Sequence, residues 1–154
     1  MDNAPVQIEP PLHLVSTRTN CWRCGADMWV LALLAPNVCG TDGEPAILSN
    51  ITDLPELVLS YIQKRFPTFQ LRYSQTLERR YYANSCPKCR VIYGDFYLHD
   101  EPGAPFFPTE AEEARFLQME TVPLSRAILV HASCGYGTGE LILQNATSRS
   151  RTSG

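Results

Sequence analysis

Apolar residues in this chain recur with two different periods, and the changes between them mark out its elements. The run "MWVLALLAP", Met28 to Pro36, is apolar nearly throughout and predicts a buried strand. Leu54, Leu57, Val58, Tyr61 and Ile62 instead follow the helical spacing and make one apolar stripe. That stripe predicts a helix over 54–66, with Asp53 as N-cap, Pro55 in its tolerant first turn, Glu56 completing the box and Pro67 as the stop. Between them, "VCGTDGEPA" supplies turn residues.

Further along, "FQLRYSQTLERRYYANSC" is rich in strand formers, and "RVIYGDFYLHD" reads as a strand bent at Gly94. Alternation on that second strand places Asp95, Tyr97 and His99 on one face. "TEAEEARFLQME" opens with Thr109 and Glu112 as a capping box and predicts a short exposed helix. "RAILVHAS" and "GELILQNA", joined by "CGYGT", predict a C-terminal β-hairpin. Residues 1–12 hold Pro5, Pro10 and Pro11 and read as an extended N-terminal arm. Residues 145–154 are polar and read as a disordered tail. The expectation is a single α+β domain over 13–144 with antiparallel strands dominant.

Composition narrows the chemistry. A chain of 154 residues, 44% of them hydrophobic, can bury a modest core. No apolar run approaches the roughly 20 residues that span a bilayer, and "MDNAPVQIEPPLHLV" lacks the basic start of a signal peptide. These features predict a soluble, cytoplasmic protein with no membrane partner. In a reducing compartment persistent disulfides are rare, so paired cysteines point to metal or redox work. A net charge of -3 gives no general attraction to nucleic acid.

Four of the six cysteines fall in two C-x-x-C turns, "NCWRCG" and "NSCPKC". Zinc takes four ligands in a tetrahedron and favours thiolates in structural sites. One such turn supplies half a site; Cys21, Cys24, Cys86 and Cys89 complete it. Residues 25–85 separate the halves, which is tolerable because loop-closure entropy grows only logarithmically. Arg23, Lys88 and Arg90 lie in or beside the turns and can offset the charge of a four-thiolate site. Strand-like flanks complete the layout of a zinc ribbon, with the 54–66 helix in the insert and one structural Zn2+ per chain. A redox dithiol and an iron–sulfur cluster are the competing readings. A closed four-cysteine site leaves no position for substrate.

The motifs also resemble those of an uncharacterised family of small bacterial zinc-ribbon proteins, which pair C-W-x-C with a later Y-A-N-x-C-P-x-C and G-D-x-x-L-H. The matching residues are Cys21, Trp22 and Cys24, then Tyr82, Ala83, Asn84, Cys86, Pro87 and Cys89, then Gly94, Asp95, Leu98 and His99. The resemblance covers about residues 20–107. It implies a zinc ribbon with an insert between the knuckles and no particular reaction. Where that family often has glycine after the last cysteine, this chain has Arg90, which costs strain if the turn needs a positive φ.

The remaining candidates are weaker. Cys39 and Cys134 read as buried free cysteines behaving as small hydrophobes, with a second metal site at His131 and Cys134 as the rival reading. Asp95, His99, Asp100 and Glu101 cluster, but no nucleophile–base pair accompanies them, so a structural role is expected. No phosphate loop, Ser–His–Asp order or dinucleotide fingerprint is present. Basic residues concentrate between Tyr61 and Ile92 and acidic ones between Asp95 and Glu120. Together these predict a non-enzymatic, zinc-stabilised protein-interaction module, such as a regulator or toxin-neutralising protein, whose acidic stretch suits a basic partner surface. The alternative is a nucleic-acid-binding zinc ribbon that uses the basic 61–92 segment and its tyrosines. An enzyme working through Asp95, His99 and Asp100 comes third.

Overall fold

A computed structural model describes residues 4–40 and 43–148. In chain order its elements are β1 (Ala4–Glu9), β2 (Leu12–Asn20), β3 (Asp27–Ala35), β4 (Asn37–Val38), β5 (Ala46–Asp53), α1 (Glu56–Arg65), β6 (Gln70–Ser74) and β7 (Arg79–Ser85). They continue as β8 (Ile92–Tyr93), α2 (Asp95–His99), α3 (Ala111–Arg115), β9 (Gln118–Val122), β10 (Ile128–Gly135), α4 (Gly139–Asn145) and β11 (Thr147–Ser148). The fold is α+β with mostly antiparallel strands, as the residue pattern predicts.

One sheet runs in the order β11-β9-β2-β3-β5-β10-β1-β4, and a smaller one runs β6-β7-β8. The large sheet curls back on itself. β4 resumes β3 after Pro36 and pairs with β1, which itself leads into β2 through Pro10 and Pro11. β10 and β5 then link β1 back to β3.

The apolar run in β3 is explained by burial on both faces. Leu31, Leu33 and Ala35 enter one core, where α1 packs Val58 and Ile62. Met28, Val30, Ala32 and Leu34 enter a second core on the opposite face, with Leu98, Phe106, Leu117 and Ile142. Successive strand residues point to opposite faces, so a strand with a core on each side has no polar positions to spare. Cys21 and Cys86 belong to this second core.

Several elements depart from the sequence expectation. Residues 4–9 of the expected N-terminal arm form β1, inside the sheet, because Val6 and Ile8 pair with Val130 and Ile128. The expected C-terminal hairpin is instead strand β10 followed by helix α4. At that helix start, a Cβ on Gly139 would lie 2.7 Å from the Pro45 Cβ, so close packing demands glycine there. "DFYLH" is a helical turn, with Asp95 and Leu98 inward at helical spacing, so Asp95, Tyr97 and His99 do not share a strand face. The capping partner of Thr109 is Glu113, not Glu112: its carboxylate accepts from the Thr109 N–H at 2.8 Å. Helix α1 starts at Glu56 with Pro55 as N-cap and has no side-chain cap bond from Asp53. Part of the expected 145–154 tail, Thr147–Ser148, pairs with β9; residues 149–154, and residues 41–42 of the expected turn, lie outside the described residues.

Candidate metal centre

The two C-x-x-C turns sit at the tips of two hairpins, β2–β3 and β7–β8. Their backbones repeat the same hydrogen bonds. In the first, the Cys21 N–H donates to the Ala26 carbonyl at 2.8 Å and the Gly25 N–H to the Cys21 carbonyl at 2.9 Å. In the second, Cys86 donates to Val91 at 2.9 Å and Arg90 to Cys86 at 3.0 Å. Each turn wraps its leading sulfur with two N–H groups. Arg23 and Cys24 donate to Cys21 Sγ at 3.3 and 3.5 Å, and Lys88 and Cys89 to Cys86 Sγ at 3.4 and 3.5 Å.

This equivalence explains Arg90. Gly25 closes the first turn at φ 77°, and Arg90 occupies the matching position at φ 67°. Only glycine adopts that region without cost. The Arg90 carbonyl accepts a 2.9 Å bond from the Arg72 guanidinium, which also donates to Ser85 Oγ at 2.9 Å, and this holds the strained turn in place. We expect Arg90→Gly to raise stability by about 1 kcal/mol: relief of roughly 1–2 kcal/mol of left-handed strain, less the added freedom of the unfolded chain. Thermal melting checks this, and an unchanged or lower melting temperature would show that the Arg90 side chain itself contributes.

The turns bring all four sulfurs together. Cys21, Cys24, Cys86 and Cys89 lie within 4.8 Å of one another and could hold a metal ion. The Cys21–Cys89 and Cys24–Cys86 sulfurs are each 3.6 Å apart. That is far beyond the roughly 2.05 Å of a disulfide, and all four thiols are free. The surrounding dipoles favour thiolate. The Cys89 N–H is the largest influence bringing the Cys86 thiol down to about 6. Burial pushes Cys21 upward, but the N–H groups of Cys24 and Arg23 outweigh it and bring that thiol down. At Cys89 the Val91 N–H pulls down, yet burial and the three neighbouring sulfurs push it up to about 11. Thus the N–H groups of the two turns favour the thiolate form at both buried cysteines, Cys86 the more strongly.

Three polar side chains lock the hairpin tips. Asn20 donates to the Gly25 carbonyl at 3.2 Å and to Asp27 Oδ1 at 3.0 Å, bracing the first turn. Trp22, within that turn, reaches across to donate its Nε1–H to the Ile92 carbonyl at 3.0 Å, on the strand leaving the second. Asn84, two residues before Cys86, is buried and acts as a substitute strand neighbour for β3. Its Oδ1 accepts from the Leu31 N–H at 2.9 Å and its Nδ2 donates to the Leu31 carbonyl at 3.1 Å. The residues just before Cys86 are thereby tied to the strand that leaves the first turn. Asn84→Ala strands both Leu31 groups in the core. At about 1–3 kcal/mol per buried unsatisfied group, we expect a loss of about 3 kcal/mol, measurable by denaturant melting. A loss below about 1 kcal/mol would show that water replaces the amide. Sequence reading matched Trp22 and Asn84 to motifs without giving them roles; a lone amide amid the buried "YYANSC" residues was the available signal.

Other candidates do not assemble into a second centre among the described residues. His131 Nδ1 lies 3.4 Å from Asp53 Oδ2, and Cys134 is half-buried further along β10. Cys39 is exposed with its sulfur 3.7 Å from Glu9, which corrects the expectation of a buried free thiol there. Asp95 is buried and accepts the Asn50 N–H at 2.8 Å, whereas Asp100 and Glu101 are exposed. The His99 ring packs 5.3 Å from that of Phe106, and burial pushes its pKa down to about 4, so it is neutral at pH 7. Among the basic residues, Arg79 and Arg80 are consecutive on β7 and therefore point to opposite faces.

The protein is thus an α+β chain with a four-cysteine cluster that could hold a metal ion. No protein-family model, no curated protein and no solved structure matches it. No helix among the described residues is long and apolar enough to cross a membrane.

Proposed function

We propose that the chain is a non-enzymatic protein-interaction module stabilised by one structural zinc ion, its two cysteine turns forming a zinc ribbon. The observation that carries the metal reading is the sulfur geometry. A tetrahedron with zinc–sulfur bonds of about 2.3 Å has sulfur–sulfur edges of about 3.8 Å, and the cross-turn pairs stand at 3.6 Å. Four thiolates fill such an ion's coordination, which leaves it a role in architecture rather than in chemistry. Exposed aromatic side chains on the first turn and on α2 support the interaction reading. Trp22 is 61% exposed and Phe96 and Tyr97, in edge contact at 5.5 Å, are 58% and 62% exposed. Adjacent exposed aromatics such as Phe96 and Tyr97 are characteristic of binding surfaces.

The nucleic-acid reading has less support. Arg72 is committed to Ser85 and Arg90, and Arg79 and Arg80 diverge across β7, so these three arginines do not form one free electrostatic face. The test is twofold. Metal analysis should find one zinc per chain, lost in Cys86→Ser. Affinity capture should then retain a protein partner that Phe96→Ser/Tyr97→Ser loses while keeping its zinc. Sub-micromolar binding of DNA or RNA that falls steeply with salt, and is lost in Arg79→Ala/Arg80→Ala, would favour the alternative.

A further inference from the structure

We propose that the four-cysteine cluster is also a peroxide-reactive modification site, which closes as two disulfides between the turns, Cys21–Cys89 and Cys24–Cys86, rather than within each C-x-x-C. The sulfur contacts point to the pairing, and the burial of each cysteine points to the order of attack. Both 3.6 Å sulfur contacts cross from one turn to the other. In either turn the leading cysteine is buried and the trailing one more accessible: Cys21 and Cys86 are buried, Cys24 is exposed and Cys89 half-buried. An oxidant from solvent therefore meets Cys24 or Cys89 first, and the buried partner is already placed to resolve the product.

The steps balance with hydrogen peroxide as oxidant. The Cys24 thiolate attacks one peroxide oxygen; the S–O bond forms, the O–O bond breaks and hydroxide leaves. The Cys86 thiolate then attacks the Cys24 sulfur; the S–S bond forms, the S–O bond breaks and a second hydroxide leaves. A second peroxide does the same through Cys89 and Cys21, once the Cys89 thiol, which burial and the neighbouring sulfurs push up, has given its proton to solvent. Two peroxides are reduced to four hydroxides, four thiolates are oxidised to two disulfides, and a bound Zn2+ is released. Closing each pair needs an approach of only about 1.5 Å to reach disulfide length. The outcome differs in kind from closure inside each turn. Bonds between the turns replace the metal link between hairpin tips, whereas bonds within the turns abolish it.

The zinc-release half of this proposal rests on the zinc reading above; the pairing does not. The test uses the full chain, zinc-loaded and reduced metal-free, with Cys39→Ser/Cys134→Ser removing the other thiols. Trypsin cleaves after Arg23 and after Lys88, so it splits each turn and assigns every pairing by mass spectrometry. We expect both cross-turn disulfides, one Zn2+ freed per two peroxides consumed as read by a chromogenic chelator, and full reversal by dithiothreitol. The oxidised protein should melt closer to the zinc-loaded form than to the reduced metal-free one. Disulfides within each turn, sulfinic or sulfonic acids in place of disulfides, or thiols left intact by excess peroxide would each overturn the proposal. A reduced protein that takes up no zinc refutes the zinc reading, and the pairing is then decided on the metal-free chain alone. The same mapping on the natural chain serves if the double variant misfolds.

Discussion

Stripping the proposed zinc with a strong chelator under reducing conditions should lower the melting temperature sharply and free the two hairpin tips, while α1 and the large sheet persist. The reason is how the two cores are built. The core under α1 draws on Leu12, Leu14, Leu33, Leu48 and Val130 and includes none of the four cysteines. The other counts Cys21 and Cys86 among its buried members, next to Met28, Val30, Leu98 and Phe106. Without an ion, four sulfurs within 4.8 Å must hold protons or repel one another. Structural zinc contributes about 10–16 kcal/mol of apparent binding free energy in small peptides, as much as the whole stability of many single domains, about 5–15 kcal/mol. Some of that is expended here in joining segments that are far apart in the chain, so the measured loss of stability will be smaller than the peptide figure. Acid acts in the same direction, because each thiolate must take up a proton on leaving the metal. The measurement is thermal melting by circular dichroism with zinc release followed in parallel. Confirmed zinc loss with an unchanged melting curve would sink the structural assignment. Amide exchange should further show early loss of protection at Leu31 and in β7–β8, with α1 retained.

How far these features could be read from the residues follows from how local their causes are. The β3 strand, the α1 helix and both cysteine turns depend on periodicity and spacing inside short windows, and each was legible. The turn closed by Arg90 does need a positive φ, because the same six-residue loop recurs around Cys21 with Gly25 in that place. What escaped was decided by distant partners. "GELILQNA" carries strand-forming residues, yet it is helical because Gly139 abuts Pro45 and Ile142 completes the core beneath β3. Residues 4–9 contain proline, but β10 and β4 flank them and supply their ladder. The Leu31–Asn84 link joins residues 53 positions apart, and no local pattern signals it. Charge was the least legible property. Glu120 looked like part of an acidic surface, but it is buried, 2.6 Å from the Arg65 Nε and 2.7 Å from the Tyr61 hydroxyl. The Arg65 guanidinium also lies 3.9 Å from the centre of the Tyr61 ring.

Asp95 belongs with Glu120 as an acid drawn inward, but it lacks a cation, and that difference makes the protein's stability sensitive to pH. Its carboxylate is buried, accepts a 2.8 Å bond from the Asn50 N–H, and forms neither of the ion pairs found among the described residues. Burial is the main cause that lifts its pKa to about 7; the Asn50 N–H opposes the rise and the Asp100 charge adds to it. His99 offers no relief, because burial keeps its ring neutral. The neighbouring Tyr81 hydroxyl, which receives the Asp95 N–H at 3.4 Å, is pushed upward by burial and by the same carboxylate, so it stays protonated. An acid whose folded pKa exceeds its unfolded value holds its proton more tightly when folded. Its stabilising contribution is complete below about pH 4 and is lost as pH rises to about 7, where it levels off. A shift from 3.8 to about 7 corresponds to about 4 kcal/mol across that window. Asp95→Asn keeps an oxygen for the Asn50 N–H and carries no charge at any pH. The variant should therefore exceed the natural chain by only about 1 kcal/mol near pH 4.5 and by about 4 kcal/mol at pH 8, the latter roughly 10 °C in melting temperature for a domain of this size. Because acid also weakens thiolate–metal bonds, the quantity to follow is the difference between the two zinc-loaded proteins at each pH. If that difference stays constant from pH 4.5 to 8, Asp95 is ionised in the fold throughout, and its carboxylate is compensated by the surrounding backbone rather than held as a neutral acid.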